Sequence, residues 1–128
     1  AGKVVIDITN PLNFDTWDEL VVPADSSAAA QIAAEIPDSH VVKGFNTTFA
    51  GTLAAKKIGG SHPVTVQLAS DFEEAKEAIA QALKGSGLKV LNAGKLKRAR
   101  ELEAFGFLQM TLAAGEKIPW DGGFGVFD

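Results

Sequence analysis

The apolar and polar positions of this chain alternate in blocks that predict strands separated by helices. Lys3 to Ile8, KVVIDI, is apolar and β-branched and reads as a buried strand. Thr9-Asn10-Pro11 ends it, because proline brings no donor to a ladder. Asp7 is the exception inside the run; the ordinary place for it is the strand's wetter face, the alternative a hydrogen bond to a neighbouring loop. Leu12 to Ala24 has no clean period and reads as a loop, with a turn around Asn13 to Trp17 and Trp17 as a hydrophobic lid or contact. Asp25-Ser26-Ser27 then caps a short helix, AAAQIAAEI, with Ile32 and Ile36 on one face, and Pro37-Asp38-Ser39 stops it. The strand Val41 to Gly44 follows at once, so the first third reads as a βαβ unit.

After that strand the chain turns polar at Gly44-Phe45-Asn46-Thr47-Thr48, then small and apolar through Phe49 to Leu53. This predicts a tight turn and the first turns of a helix that continues weakly to Ile58, where Gly59-Gly60-Ser61 breaks it. His62 to Ala69 alternates at Val64, Val66 and Leu68 and predicts a third strand. Asp71, with Glu74 in the capping-box position, predicts a helix whose apolar face is Phe72, Ala75, Ile79, Ala82 and Leu83. Leu88 to Leu91 is a fourth short strand, and Asn92-Ala93-Gly94 a turn. A long helix follows from about Leu96 to Leu112, charged in its first half and apolar at Phe105, Phe107, Leu108, Met110 and Leu112. Its charged residues, Arg98, Arg100, Glu101 and Glu103, are expected in solvent or in i,i+3 pairs. Its apolar half is expected to be buried against something large, a homodimer partner or a swapped or absent domain. The tail from Gly115 to Asp128 carries glycines between aromatics, which suits a turn packed on a ligand or on the domain.

Composition narrows the classes. At 128 residues the chain fits one α/β domain, residues 1–128. The net charge of -4 and the lack of a basic run argue against nucleic acid. With no cysteine there is no thiolate metal site, and a cytoplasmic setting is expected. His40 and His62 lack ligand spacing and read as surface residues; Asp15, Asp18 and Glu19 read as a solvated acidic loop. No run is long enough to span a bilayer, so no membrane partner is expected. The chain opens Ala-Gly-Lys without an initiator Met, as after Met removal or in a fragment whose preceding half is absent.

No nucleophile, general base or metal set stands out, and no glycine-rich phosphate loop lies between a strand and a helix. Any chemistry must be carried by bound cofactors. Two strands end on asparagine, at Asn10 and Asn46. Either these amides flank a shared crevice at the carboxyl edge of the sheet, where ligands sit in open α/β folds, or Asn46 and Thr47 cap the next helix.

Together VVIDITNPL, DSSAAAQIAAEIPDSHVVKGFNTTFAGTL, LNAGKLKRARELEAFGFLQM and WDGGFG resemble, in order and over nearly the whole chain, the deazaflavin-dependent NADP reductases (NADPH-dependent coenzyme F-420 reductases, or NADP oxidoreductases). The reductase domain of the membrane metalloreductases looks like a more distant relative, sharing Ala99-Arg100-Glu101. The resemblance implies the later part of a Rossmann-like, NAD(P)-binding fold: a mostly parallel sheet of about four strands, flanking helices and a long C-terminal helix. It implies an oxidoreductase moving hydride between NADP(H) and coenzyme F-420, another deazaflavin or a flavin. On matching positions, Thr9, Asn10, Pro11, Phe45, Asn46, Thr47 and Thr48 would lie by the rings, and Trp120, Gly123, Phe124 and Gly125 would help cover the acceptor. The family's glycine-rich phosphate-binding half has no counterpart here, so the chain alone is expected to be inactive. Asn46 also stands where some deazaflavin reductases carry histidine. The rival reading is a non-catalytic α/β module that dimerises or binds a partner.

Overall fold

The computed structural model describes residues 2–127; Ala1 and Asp128, the ends of the expected domain and tail, lie outside the described residues. The strands and helices run β1 Val4–Asp7, α1 Ala28–Glu35, β2 His40–Gly44, α2 Ala50–Ala55, β3 Lys57–Ile58, β4 His62–Pro63, β5 Thr65–Ala69, α3 Glu73–Ala82, β6 Lys89–Gly94, a 3-10 turn Leu96–Arg98 and α4 Ala99–Ala114. The main sheet has four strands in the order β1-β2-β5-β6. β1 pairs with β2 in parallel, and β5 with β6 in parallel, so the expected mixed α/β, mostly parallel, Rossmann-like sheet is present. The central seam is antiparallel, with Lys43 opposite Ala69 and Gly44 opposite Leu68. The carboxyl ends of β1 and β2 therefore share one edge of the sheet, and those of β5 and β6 the other.

Each face has its own core. Val42, Val66 and Leu68 meet Ala75 and Ile79 of α3, with Phe45, Phe72, Leu83 and Val90 around them. On the other face Val41 meets Ala29 of α1 and Ala99 of α4, flanked by Val5, Ile32, Ile36 and Leu96. Fully burying a valine or leucine is worth about 1.5–3 kcal/mol, so these faces hold the layers together. The expected cap at α1 forms: Ser27 accepts from Ala30 N at 3.0 Å.

Several local expectations are corrected. β1 is an edge strand, not a buried one: Val4, Ile6 and Ile8 are 42%, 39% and 60% exposed. Lys57 and Ile58, expected at the end of a helix, form a small hairpin with His62 and Pro63, because Lys56 takes a left-handed φ of 61° and ends α2. The expected third strand is split accordingly. Asp71 does not cap α3; its carboxylate accepts from Leu96 N at 3.1 Å, and Phe72 stands at the cap with no side-chain bond. Ala82 is exposed rather than on the apolar face. Asn92-Ala93-Gly94 is no free turn but the bulged end of β6, where Leu68 pairs Asn92 and Ala69 pairs Gly94. Both histidines are half-buried and stacked, His40 on Phe72 and His62 on Phe127, each with ring centroids 4.0 Å apart.

Candidate functional site at the carboxyl edge of β1 and β2

The site is set by a buried charge cluster that the sequence reading placed elsewhere. Lys43 lies within β2, wholly buried. Its Nζ donates to Asp7 Oδ2 at 3.1 Å and Thr9 O at 2.6 Å, and pairs with Glu103 Oε2 at 3.1 Å. Three acceptors thus meet three donors, the condition under which a buried ammonium is tolerated. Asp7 is accordingly buried, not on a wet face, and its Oδ1 accepts from Thr9 N at 2.9 Å and Thr9 Oγ1 at 2.7 Å. Glu103 is buried, not solvated: its two oxygens accept from Ala28 N and Ala29 N at 2.8 and 3.2 Å, a carboxylate at the positive end of α1. The expected i,i+3 pair does form at Arg98 and Glu101, 2.7 Å apart. The cluster ties β1, β2, α1 and α4 together and fixes the turn at Thr9 from which Asn10 projects.

Asn10 and Asn46 come together, but as partners rather than as walls of an open crevice. Asn46 Nδ2 donates to Asn10 Oδ1 at 3.2 Å and to Leu102 O at 2.8 Å, while Asn10 Nδ2 donates to Asn46 O at 3.3 Å. The space between them is taken by α4 at Gly106. A Cβ there would collide with Asn10 Oδ1 and stand 3.1 Å from Asn46 Nδ2 and Asn46 O. Asn46 is not a helix cap either, since Phe49 occupies that position of α2.

The remaining predicted residues spread around this pair. Thr9 is exposed and Pro11 half-buried. Phe45 holds a positive φ of 66° and turns its ring into the core. Thr47 is buried and its carbonyl accepts from Gln109 Nε2 at 2.6 Å; Thr48 is half-buried and its N donates to Phe45 O. Trp120 and Phe124 are exposed aromatics. Trp120 sits 4.9 Å from Phe49 and 6.4 Å from Trp17, and Trp17 lies 5.4 Å from Phe14. The rings thus make a row that links the loop after β1, the turn after β2 and the tail. Phe124 meets Phe105 of α4 at 5.4 Å. Gly125 lies under His62, whose ring would stand 2.7 Å from an added Cβ. The tail is pinned to α2 by Thr52 Oγ1, which donates to Gly122 O at 2.7 Å.

Four residues here were missed from sequence: Lys43, Glu103, Gly106 and Gln109. The signals were a lysine inside an apolar strand, a glycine in mid-helix where alanine is favoured by about 1 kcal/mol, and a glutamine in an apolar run. Asn46 Oδ1 and Gln109 Oε1 are buried without a hydrogen-bond partner. Among the described residues no group of three His, Asp or Glu could hold a metal, and no helix is long and apolar enough to cross a membrane.

No protein-family model matches the chain. It is 30% identical over 127 residues to metalloreductase STEAP3 of Rattus norvegicus, covering 99% of this chain and 24% of that protein. It is 28% identical over 118 residues to metalloreductase STEAP2 of Homo sapiens, covering 92% of this chain and 22% of the other. A solved structure from Arthrobacter sp. FB24, described as a candidate F-420-dependent NADP reductase, matches with a TM-score of 0.81 at 26% identity, over 100% of this chain and 59% of that one. A hypothetical protein from Sinorhizobium meliloti shares the fold, with a TM-score of 0.63 at 24% identity over 73% of this chain and 45% of its own. The chain thus spans about a quarter of the length of the curated relatives and about three-fifths of the first structural neighbour. The chain is thus similar in sequence to metalloreductases and in three dimensions to a structure described as an NADP reductase.

Proposed function

We propose that this chain is the later, ring-binding part of an NADP-dependent oxidoreductase that moves hydride between NADP(H) and a flat acceptor, a deazaflavin such as coenzyme F-420 or a flavin. The observation that carries the reading is the row Phe14, Trp17, Trp120 and Phe49, which joins the segments following β1 and β2, the strands whose ends the Asn10–Asn46 pair links. Aromatic faces stack flat heterocycles, and in open α/β sheets ligands lie at the carboxyl ends of strands. These residues fit the ring end of such a cofactor. They do not fit its phosphates, since no glycine-rich strand-turn-helix is present in the sequence. The cofactor supplies the hydride chemistry. The chain's share is to orient rings with Thr9, Asn10, Pro11, Thr47 and Thr48 near one side and Trp120, Phe124 and Gly125 over the other, and to exclude water.

The description of the Arthrobacter neighbour supports the NADP-linked assignment, and the names of the curated relatives support a reductase. The free edge of β1, with Val4, Ile6 and Ile8 exposed, supports a missing neighbour on that side of the sheet. In this reading the chain works in the cytoplasm and pairs with a second copy through the outer side of α4, where Leu108 is exposed.

The test is NADPH oxidation by the polypeptide that the intact gene encodes, offered F-420, a flavin and a ferric chelate in turn. Reduction of F-420 or of the flavin is expected; failure with both, or reduction of the ferric chelate alone, would sink the reading. Calorimetry on the present chain should give NADP affinity no tighter than about millimolar. Micromolar binding would mean that the phosphate grip lies within these residues.

The second reading, a non-catalytic module, is favoured by one observation: α4 closes over Asn10 and Asn46 at Gly106, so both amide nitrogens are spent on the fold.

A further inference from the structure

Gln109 lies on α4 with 1% of its surface exposed. Its Nε2 donates to Thr47 O at 2.6 Å. A backbone carbonyl can only accept, so this bond fixes which end of the carboxamide faces Thr47. Oε1 is therefore turned the other way, toward the tail, where a Cβ built on Gly123 would stand 3.5 Å from it. That oxygen is buried and accepts nothing. Asn46 repeats the arrangement one residue from Thr47. Its Nδ2 is held by Asn10 Oδ1 and Leu102 O, and its Oδ1 is buried with no donor. Leaving a buried acceptor unpaired costs the desolvation of that group, so a donor is called for. Two such acceptors, both held from behind by their nitrogens, are an arrangement that asks for N–H groups. Gly123, which faces Oε1, lies in a stretch without helix or strand, next to the exposed ring of Phe124. The rings of Phe105 and Phe124 lie beside it.

We propose that Gln109 is a ligand-positioning residue, whose Oε1 accepts a hydrogen bond from an amide-type N–H of the flat heterocycle held under the tail. This rests on the reading above, that rings bind at this edge. The donor is the carboxamide of a nicotinamide or the imide N–H of a flavin or deazaflavin ring, which share the same chemistry. The Thr47 bond ensures that the oxygen, not the nitrogen, meets the ligand. Gly123 offers no side chain that would fill the space.

Two matched probe pairs test it by equilibrium dialysis against the chain, at concentrations up to millimolar. Riboflavin is compared with the same flavin methylated on its imide nitrogen. NADP is compared with its acetylpyridine analogue, in which a methyl replaces the carboxamide NH2. In one pair the wild type should favour the N–H member by roughly five- to tenfold, the yield of one neutral hydrogen bond, and that pair identifies the donor. Gln109→Met should erase the preference. A merely structural role would weaken both members alike and leave their ratio unchanged, which would overturn the proposal. So would a wild type that binds both members of each pair equally, the oxygen then being met by water. If Gln109→Met does not fold, the wild-type ratio decides alone. Binding of neither flavin at millimolar concentration would overturn the functional reading itself, whereas NADP that fails to bind there is what a chain without the phosphate grip should show.

Discussion

Lys43 binds β1, β2 and α4 to one another. It neutralises Asp7 and Glu103 where neither meets solvent, and it holds the carbonyl of Thr9. Breaking such a cluster by removing one partner leaves uncompensated buried charge. Lys43→Met should therefore cost about 3–5 kcal/mol in urea denaturation, far more than the packing change alone. Gly106 makes the opposite point about size. Alanine in mid-helix ordinarily gains about 1 kcal/mol over glycine. Here the added methyl would meet Asn10 Oδ1 and the backbone of Asn46, and overpacking of that kind costs about 1–3 kcal/mol. The clash wins, because its neighbours are a linked amide and a main chain rather than a free side-chain tip. Gly106→Ala should lower Tm in calorimetry, whereas a rise in Tm would mean that α4 stands further from β1 and β2 than described.

Among the elements, α3 and β6 are joined by one more buried lysine. Lys76 donates to Glu73 Oε1 at 3.0 Å, Asn92 Oδ1 at 2.7 Å and Gly94 O at 2.7 Å, closing the bulged end of β6 onto the helix. The Lys76 hydrogen bond holds the Glu73 carboxyl below its usual 4.5, helped by Asn92 and opposed by partial desolvation. A carboxyl lowered in the folded state stabilises above its unfolded value, and that contribution disappears as pH falls through the folded value. Glu73→Gln should thus lower Tm at neutral pH, with the gap closing in acid; a gap that widened in acid would reverse the assignment. The sequence made α1, α3, β5 and the turns after β1 and β2 legible, because Ser27, the apolar face at Ala75 and Ile79, the alternation through Val66 and the Asn-ended runs act locally. It did not show the β3–β4 hairpin, where Ala54 to Ile58 has helical composition and only the left-handed turn at Lys56 decides. Nor did it show the charge cluster. Asp7, Lys43 and Glu103 lie on three elements, and nothing near any one of them in sequence names its partners. Asp71 failed as a cap for a similar reason: a distant backbone N–H, that of Leu96, claimed its carboxylate first.

At the scale of the molecule, α4 is only partly used within the chain. Gly106, Gln109 and Ala113 are buried against the strand ends and tail, and Phe105 meets Phe124. Phe107, Met110 and Leu112 are half-buried, and Leu108 is exposed. If copies pair through that surface, sedimentation velocity should show faster boundaries as concentration rises, and Leu108→Asp should return the chain to the monomer. A wild type that stays monomeric throughout would remove the pairing from the functional reading. The other outward feature is β1, whose outer rim of N–H and C=O groups meets no strand of the described sheet and whose Val4, Ile6 and Ile8 face water. Such a rim templates any extended peptide that reaches it. For whoever handles the purified chain, this sets its shelf life: haze and fibre growth on warm, concentrated storage should begin at that border, and a lysine at Ile6 should keep the stock clear.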